Sequence, residues 1–240
     1  MQRKNVLIIG GSRGIGAATV RLFASLGYAV AFTYCASDAA ASALAEETGA
    51  LAIKADSASY SEIDRAIDVF HSALGSVDIL VANAAVSEIG LFTDLTEDTW
   101  AHLRAVNLDG PMYYVKRLLP DMIAKKWGRV LLISSMWGQV GASCEVPYST
   151  AKAGLIGLTR ALAKEVGPSG ITVNCIAPGL IDTEMNAALS PRDLDALCEE
   201  IPLGRLGTAE EVAALALFLS GEGGSYITGQ VIAPNGGMVI

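Results

Sequence analysis

Charge is scarce in this sequence. Asp, Glu, Lys and Arg make up 18% of its 240 residues, and the formal net charge is −8. That balance argues against nucleic acid or an anionic membrane as a partner. No apolar run approaches the roughly 20 residues that a bilayer span requires. The first residues, Met1 to Asn5, run straight into an apolar strand pattern, so no signal peptide is expected and the expected location is cytoplasmic. Cysteine is sparse too. Cys35, Cys144, Cys175 and Cys198 form no CxxC pair, and His71 and His102 lie far from them in sequence. Reduced thiols and no structural metal are expected. No linker or internal repeat divides the chain, which reads as a single domain over residues 1–240.

Apolar sequence is plentiful, at 52% of the residues. Val6–Ile9, Ala29–Tyr34, Leu51–Ala55, Ile79–Ala82, Val130–Ser134, Thr172–Ile176 and Gln230–Ala233 read as strands, apolar on both faces as buried parallel strands are. Helical patterns lie between them, near 14–26, 38–48, 60–74, 96–126, 148–167 and 208–220. Strands alternating with helices predict an α/β fold, a parallel sheet covered on both sides. A short helical pattern interrupts this rhythm at about 180–202. An insertion beside a strand's C-terminal end is where a substrate loop would sit.

Tyr148 and Lys152 stand four residues apart, one helical turn, with Ser135 thirteen residues upstream. A neighbouring cation favours the phenolate, so the pair predicts a tyrosine whose pKa is drawn down from about 10 toward the operating pH. A hydroxyl from Ser135 would hold the oxygen being protonated. That set describes ketone reduction or alcohol oxidation. The spacing alone is a weak signal and gains meaning from what surrounds it.

Gly10-Gly11-Ser12-Arg13-Gly14-Ile15-Gly16 follows the first strand and opens the first helix. Glycines there permit a tight turn and close backbone approach to a pyrophosphate, which the helix N-terminus would receive. An NAD site usually carries an acid at the end of the second strand. Here Thr33-Tyr34-Cys35-Ala36-Ser37 has none before Asp38, and Arg13 adds a cation within the glycine loop. NADP(H) is therefore the preferred cofactor. Asp56, after the third strand, reads as an acceptor for the adenine amino group, as a cap for the next helix, or as both. Pro111 has no N–H to offer the carbonyl of Asn107, so a kink is predicted there. The freed carbonyl would hold a water linking Lys152 to solvent; the plainer alternative is a proline kink beside a solvated Asn107.

With these residues in place, the chain resembles the short-chain dehydrogenase/reductase family over essentially its whole length. The resemblance rests on the glycine loop, Asp56, Asn83-Ala84, Asn107, Ser135, Tyr148, Lys152 and Pro178-Gly179-Leu180-Ile181-Asp182-Thr183. It implies a Rossmann-like, doubly wound sheet of seven strands, usually assembled as a homotetramer. It implies Tyr148 as acid, Ser135 orienting the carbonyl, Lys152 on the nicotinamide ribose and lowering the tyrosine pKa, and Asn107 in a proton relay. Gly10, Ser12, Arg13, Gly14, Ile15, Gly16, Asp56, Asn83, Ala84, Tyr148, Lys152, Pro178, Gly179, Ile181 and Thr183 would bind cofactor. Two departures stand out. Ile9 replaces a usual Thr, and Ala82-Asn83-Ala84-Ala85 a usual Asn-Asn-Ala-Gly, so two polar positions at neighbouring strand ends are apolar together and packing is expected to replace a hydrogen bond.

Within the family the body is similar to 3-oxoacyl-acyl carrier protein reductases, notably at 154–159 and 169–174. Such an enzyme needs a basic docking face, for which Lys125, Lys126 and Arg129 are available; Ser169 stands where a further basic residue is common. Residues 135–146 are more distinctive. They are similar to reductases of the 5-aminopentanone modification on elongation factor P, a protein-borne ketone with an amine beyond it. Trp137 and Glu145 would then meet that cationic arm. The alternative is that Glu145 caps the following helix and Trp137 packs at a subunit contact. The first expected substrate is the modified elongation factor, the second the acyl carrier protein thioester. A nucleotide-binding regulator without turnover is the remaining alternative.

Overall fold

Nothing polar interrupts Val6-Leu7-Ile8-Ile9, so a strand here must be covered on both faces. The computed structural model, which describes residues 3–184 and 191–240, covers it in that way. Leu7 and Ile9 enter one core with Ile63, Phe70, Tyr114, Leu118 and Leu155. Val6 and Ile8 enter the other with Val20, Phe23, Phe32, Val212 and Leu219. Full burial of side chains of this size contributes about 2–3 kcal/mol each.

Seven strands form the sheet: β1 (Asn5–Ile9), β2 (Ala29–Tyr34), β3 (Leu51–Lys54), β4 (Ile79–Ala82), β5 (Gly128–Ile133), β6 (Ile171–Ile176) and β7 (Val231–Ile232). All neighbours pair in parallel, in the order β3-β2-β1-β4-β5-β6-β7. This is the expected doubly wound arrangement. The chain winds outward from β1 to β3, then returns to β4 and winds the other way. The crevice beyond the ends of β1 and β4 is therefore the topological switch point, where open α/β sheets bind ligands. Ile9 pairs with Ala82 at that end, so Gly10 and Asn83 follow directly into the crevice. Ile9 is fully buried and Ala82 nearly so, as expected if packing replaces a polar link.

The helices are α1 (Gly14–Ser25), α2 (Asp38–Thr48), α3 (Tyr60–Leu74), α4 (Glu97–Arg104), α5 (Gly110–Lys125), α6 (Trp137–Val140), α7 (Val146–Val166), α8 (Pro191–Glu200) and α9 (Ala209–Ser220). The single pattern expected over 96–126 is two helices joined by a π-helical turn at Ala105–Asp109. Pro111 supplies no N–H to the Asn107 carbonyl, and the turn absorbs the break. Gly110 lets this junction press against the backbone of Ser57, where any Cβ would collide. Within the insertion expected at 180–202, α8 is seen, while residues 185–190 lie outside the described residues. Among the described residues no helix is long and apolar enough to cross a membrane.

Candidate active site

The glycine turn is held from three sides. Gly10, at φ +74°, sits so close to Ala84 that a Cβ would overlap its backbone. Asn83 donates from Nδ2 to the Gly10 carbonyl at 2.8 Å. The Gly11 N–H donates to the Thr33 carbonyl at 2.9 Å, and Gly10 N–H to the Thr33 hydroxyl at 3.3 Å. A Cβ on Gly16 would strike the Gly10 carbonyl. Arg13 occupies the N-cap of α1 without a side-chain cap bond, so the helix's first N–H groups stay available to an anion. This arrangement fits a dinucleotide pyrophosphate. Ser12 and Ile15 lie within the same turn. Thr183 closes over it, its methyl about 3.2 Å from where a Gly14 Cβ would stand.

Asp56 is not a helix cap. Ser59 caps α3 by accepting from Glu62 N–H, while Asp56 accepts from Ala58 N–H at 2.9 Å, which fixes its carboxylate beside the end of β3. Pro178, Gly179 and Ile181 leave β6 toward the same crevice. The Pro178 carbonyl accepts from Met136 N–H at 2.9 Å, Gly179 packs against Asn235, and Ile181 bridges to Gly207.

Tyr148 and Lys152 share one face of α7, and both are nearly buried, at 7% and 1% exposure. Ser135, from the end of β5, is 8% exposed and its hydroxyl accepts from Trp137 N–H at 3.1 Å. The Lys152 ammonium donates to the Ile133 carbonyl at 2.8 Å and lies 5.5 Å from the centre of the Tyr148 ring. The structure thus brings Ser135, Tyr148 and Lys152 together. It corrects the expected tyrosine pKa, however. Burial, reinforced by the Glu145 carboxylate and opposed by the Ser135 hydroxyl, pushes the phenol up to about 12. Burial also lowers Lys152 to about 8. Desolvation disfavours both charged forms, and it outweighs the attraction on which the sequence argument relied.

Asn107 is fully buried, which corrects the solvated alternative. Its Oδ1 accepts from Val86 N–H at 3.0 Å and its Nδ2 donates to the Val86 carbonyl at 2.8 Å. The side chain therefore clamps the segment after β4 to the π-helical turn. Two further residues that sequence reasoning passed over hold the mouth of the site. Ser87 donates to Glu145 Oε2 at 2.9 Å, and Ser149 accepts from Ala142 N–H at 3.1 Å. Ser87 belongs to no motif and gains its role only where distant segments meet, while Ser149 fills a variable position between Tyr148 and Lys152.

Glu145 precedes α7 but its side chain makes no cap bond, which removes the capping alternative. Trp137 is half-buried at the start of α6. Cys144, between the two, has φ +62°, a left-handed conformation that costs a β-carbon about 1 kcal/mol. We expect Cys144→Gly to stabilise the fold by about 0.5 kcal/mol; an unchanged or lower denaturation midpoint would show that the strain is not there to relieve.

The basic docking face expected from Lys125, Lys126 and Arg129 is mostly consumed by the fold. Arg129 is 5% exposed, stacked on Trp127 and donating to the Gly128 and Gly170 carbonyls. Lys125 pairs with Asp78 at 2.8 Å. Lys126 alone remains outside these bonds.

Comparison with known proteins agrees with this geometry. Residues 10–239 match a family model described as Enoyl-(Acyl carrier protein) reductase. The chain is 40% identical to a 3-oxoacyl-[acyl-carrier-protein] reductase of Aquifex aeolicus, over 99% of this chain and 98% of that one. A solved short-chain dehydrogenase/reductase variant of Serratia marcescens superposes with a TM-score of 0.91 at 37% identity, over 98% of this chain and 97% of that one. A blue fluorescent protein from a metagenomic library, solved with NADPH, does so with a TM-score of 0.92 at 34% identity, over 99% and 98%. Sheet order, glycine turn, the Ser135–Tyr148–Lys152 set and full-length relatives converge: the chain belongs to the short-chain dehydrogenase/reductase family.

Proposed function

We propose that this chain reduces, with NADPH, the ketone of a substrate whose arm carries an ammonium group beyond the carbonyl, the 5-aminopentanone on elongation factor P being the substrate of that chemistry. NADPH would supply the hydride when bound in the crevice. Tyr148, protonated far beyond neutral pH, would donate the proton to the forming alkoxide. Ser135 would hold that oxygen. Lys152 would orient the ribose, and the Asn107 carbonyl would hold the water that returns a proton through Lys152. The family's NADPH-bound neighbour, the absence of an acid from Thr33 to Ser37 and the exposed Arg13 support the cofactor.

The observation carrying the substrate is Glu145. Its carboxylate is fixed by Ser87 and close enough to Tyr148 to raise the phenol's pKa, yet no cation among the described residues is paired with it. A cationic arm would satisfy it, with Trp137 as a flat wall. A 3-oxoacyl thioester is the second reading, favoured by what the Aquifex aeolicus relative is named for. The engagement of Lys125 by Asp78 and the burial of Arg129 weigh against an acidic carrier protein docking at that face. Exposed Phe218, Tyr226 and Ile240 support the homotetramer as the assembly.

NADPH consumption with aminopentanone-modified elongation factor P and acetoacetyl thioester in parallel separates the readings. We expect turnover of the first. Glu145→Gln should raise KM for the amine-bearing ketone about tenfold, as loss of a charge-assisted contact does, and leave KM for the thioester unchanged. Turnover of the thioester alone overturns the aminopentanone reading.

A further inference from the structure

Only one acid follows the end of β2 closely, and it is not free. Asp38 opens α2, four residues beyond Tyr34. Lys54, the last residue of β3, grips both of its carboxylate oxygens, at 2.8 and 2.9 Å. Lys54 first, with the Tyr34 hydroxyl adding to it, holds this carboxylate below the ordinary carboxylate range. The pair is over half exposed, at 56% for Lys54 and 60% for Asp38. Exposed pairs of this kind do little for folding, so stability does not explain a bidentate grip at this place.

The place is informative. The glycine turn abuts the end of β2 through Gly11 and Thr33, and Arg13 follows two residues later. Tyr34 pairs with Lys54 where β2 and β3 end, and the Cys35 thiol beyond it is raised by burial first and then by Asp56, Glu62 and Asp38, so these charges lie at the strand end where the adenosine ribose lies. Arg65 reaches the Lys54 carbonyl at 3.5 Å and pairs with Glu62. An unmasked carboxylate here would repel a 2′-phosphate and accept from a 2′-hydroxyl.

We propose that Lys54 is a specificity-determining residue for the cofactor: by engaging both oxygens of Asp38 it masks the one acid that would turn this site toward NADH. Arg13 then faces the 2′-phosphate with the Asp38 charge offset. Lys54 acts through Asp38 and not by touching the phosphate. This rests on the NADPH reading above.

The experiment is calorimetric titration with 2′,5′-ADP and 5′-AMP, fragments that differ at the 2′-phosphate, on wild type, Lys54→Gln, Asp38→Asn and the double variant. Lys54→Gln should weaken 2′,5′-ADP binding about fivefold, as expected for one unmasked charge a few ångströms from a phosphate, and leave 5′-AMP within about twofold. Asp38→Asn in the same chain should restore 2′,5′-ADP binding to the wild-type value. A loss that persists in the double variant means that Lys54 contacts the phosphate itself and overturns the masking role. An unchanged 2′,5′-ADP affinity in Lys54→Gln overturns it as well. A wild-type chain that binds both fragments equally overturns the NADPH reading and the inference with it.

Discussion

Tyr148→Phe lowers kcat about a thousandfold, within the range that a positioned general acid contributes, and leaves the dissociation constant for NADPH within about twofold. The substitution removes one hydroxyl from a 7% exposed ring and keeps the ring's packing. The phenol is held protonated by burial first, with Glu145 adding to it, so at neutral pH it is a proton donor without fail. No other residue replaces it. Ser135 is engaged as an acceptor from Trp137 and its hydroxyl is a far weaker acid. Lys152 is turned to the Ile133 carbonyl. A stopped-flow measurement of NADPH oxidation checks it. Loss of less than tenfold would remove Tyr148 from the proton-transfer step. Unimpaired function with the hydroxyl gone would favour the binding-module alternative.

Lys152→Met should abolish turnover, by at least about a hundredfold, and yet stabilise the cofactor-free protein. The ammonium is wholly buried and burial lowers its pKa from 10.5 to about 8. Each pH unit of that gap is worth about 1.4 kcal/mol, so the buried charge costs about 3 kcal/mol below pH 8. The sign follows from proton counting. Between pH 8 and 10.5 the unfolded chain holds a proton that the folded chain has lost. Stability from this group is therefore present above pH 10.5 and is lost as pH falls through 8. Methionine keeps the apolar stem and removes the charge, but it leaves the Ile133 carbonyl without its donor, at about 1 kcal/mol. The expected net gain is about 2 kcal/mol at pH 7. Urea denaturation at pH 7 and pH 9.5 checks it, because the wild-type midpoint should rise between them from this group and the variant's should not. Equal pH dependence in both chains would show that the lysine carries no such cost.

The two substitutions together describe what the fold spends on chemistry. A buried cation weakens the protein where it stands, and the proposed reaction gives it a reason to stand there. This is the usual relation between an active site and the stability of the scaffold around it.

Much of the fold could be read from residue order. Seven apolar runs separated by helical periods leave little choice but a parallel sheet with two covered faces, because each run is apolar at both odd and even positions. The strand boundaries moved by only a residue or two, as where β5 begins at Gly128 and β7 shrinks to Val231–Ile232. The glycine turn, Tyr148 and Lys152 were equally legible, since their function depends on spacing within a single turn or helix. Pro111 announced a break in its helix, though not that a π-helical turn would absorb it.

Contacts between segments far apart in sequence could not be read this way. Arg129 looked like a docking residue until the fold laid it against Trp127, and Glu145, read as a carboxylate for a substrate arm or else as a cap, gave no sign of the bond that Ser87 makes to it from 58 residues away. Asp38 looked like a distant acid until Lys54 closed on it from the next strand. Tyr148 looked like an activated phenol until burial decided its charge. Sequence by itself determined the sheet, the glycine turn at its crevice and the shared helix face of Tyr148 and Lys152, because local periodicity and the stereochemistry of glycine and proline act over a few residues. Tertiary structure alone decided which charges are masked, buried or left to meet a substrate, because the strength of a charge depends on the groups and the solvent that folding places around it.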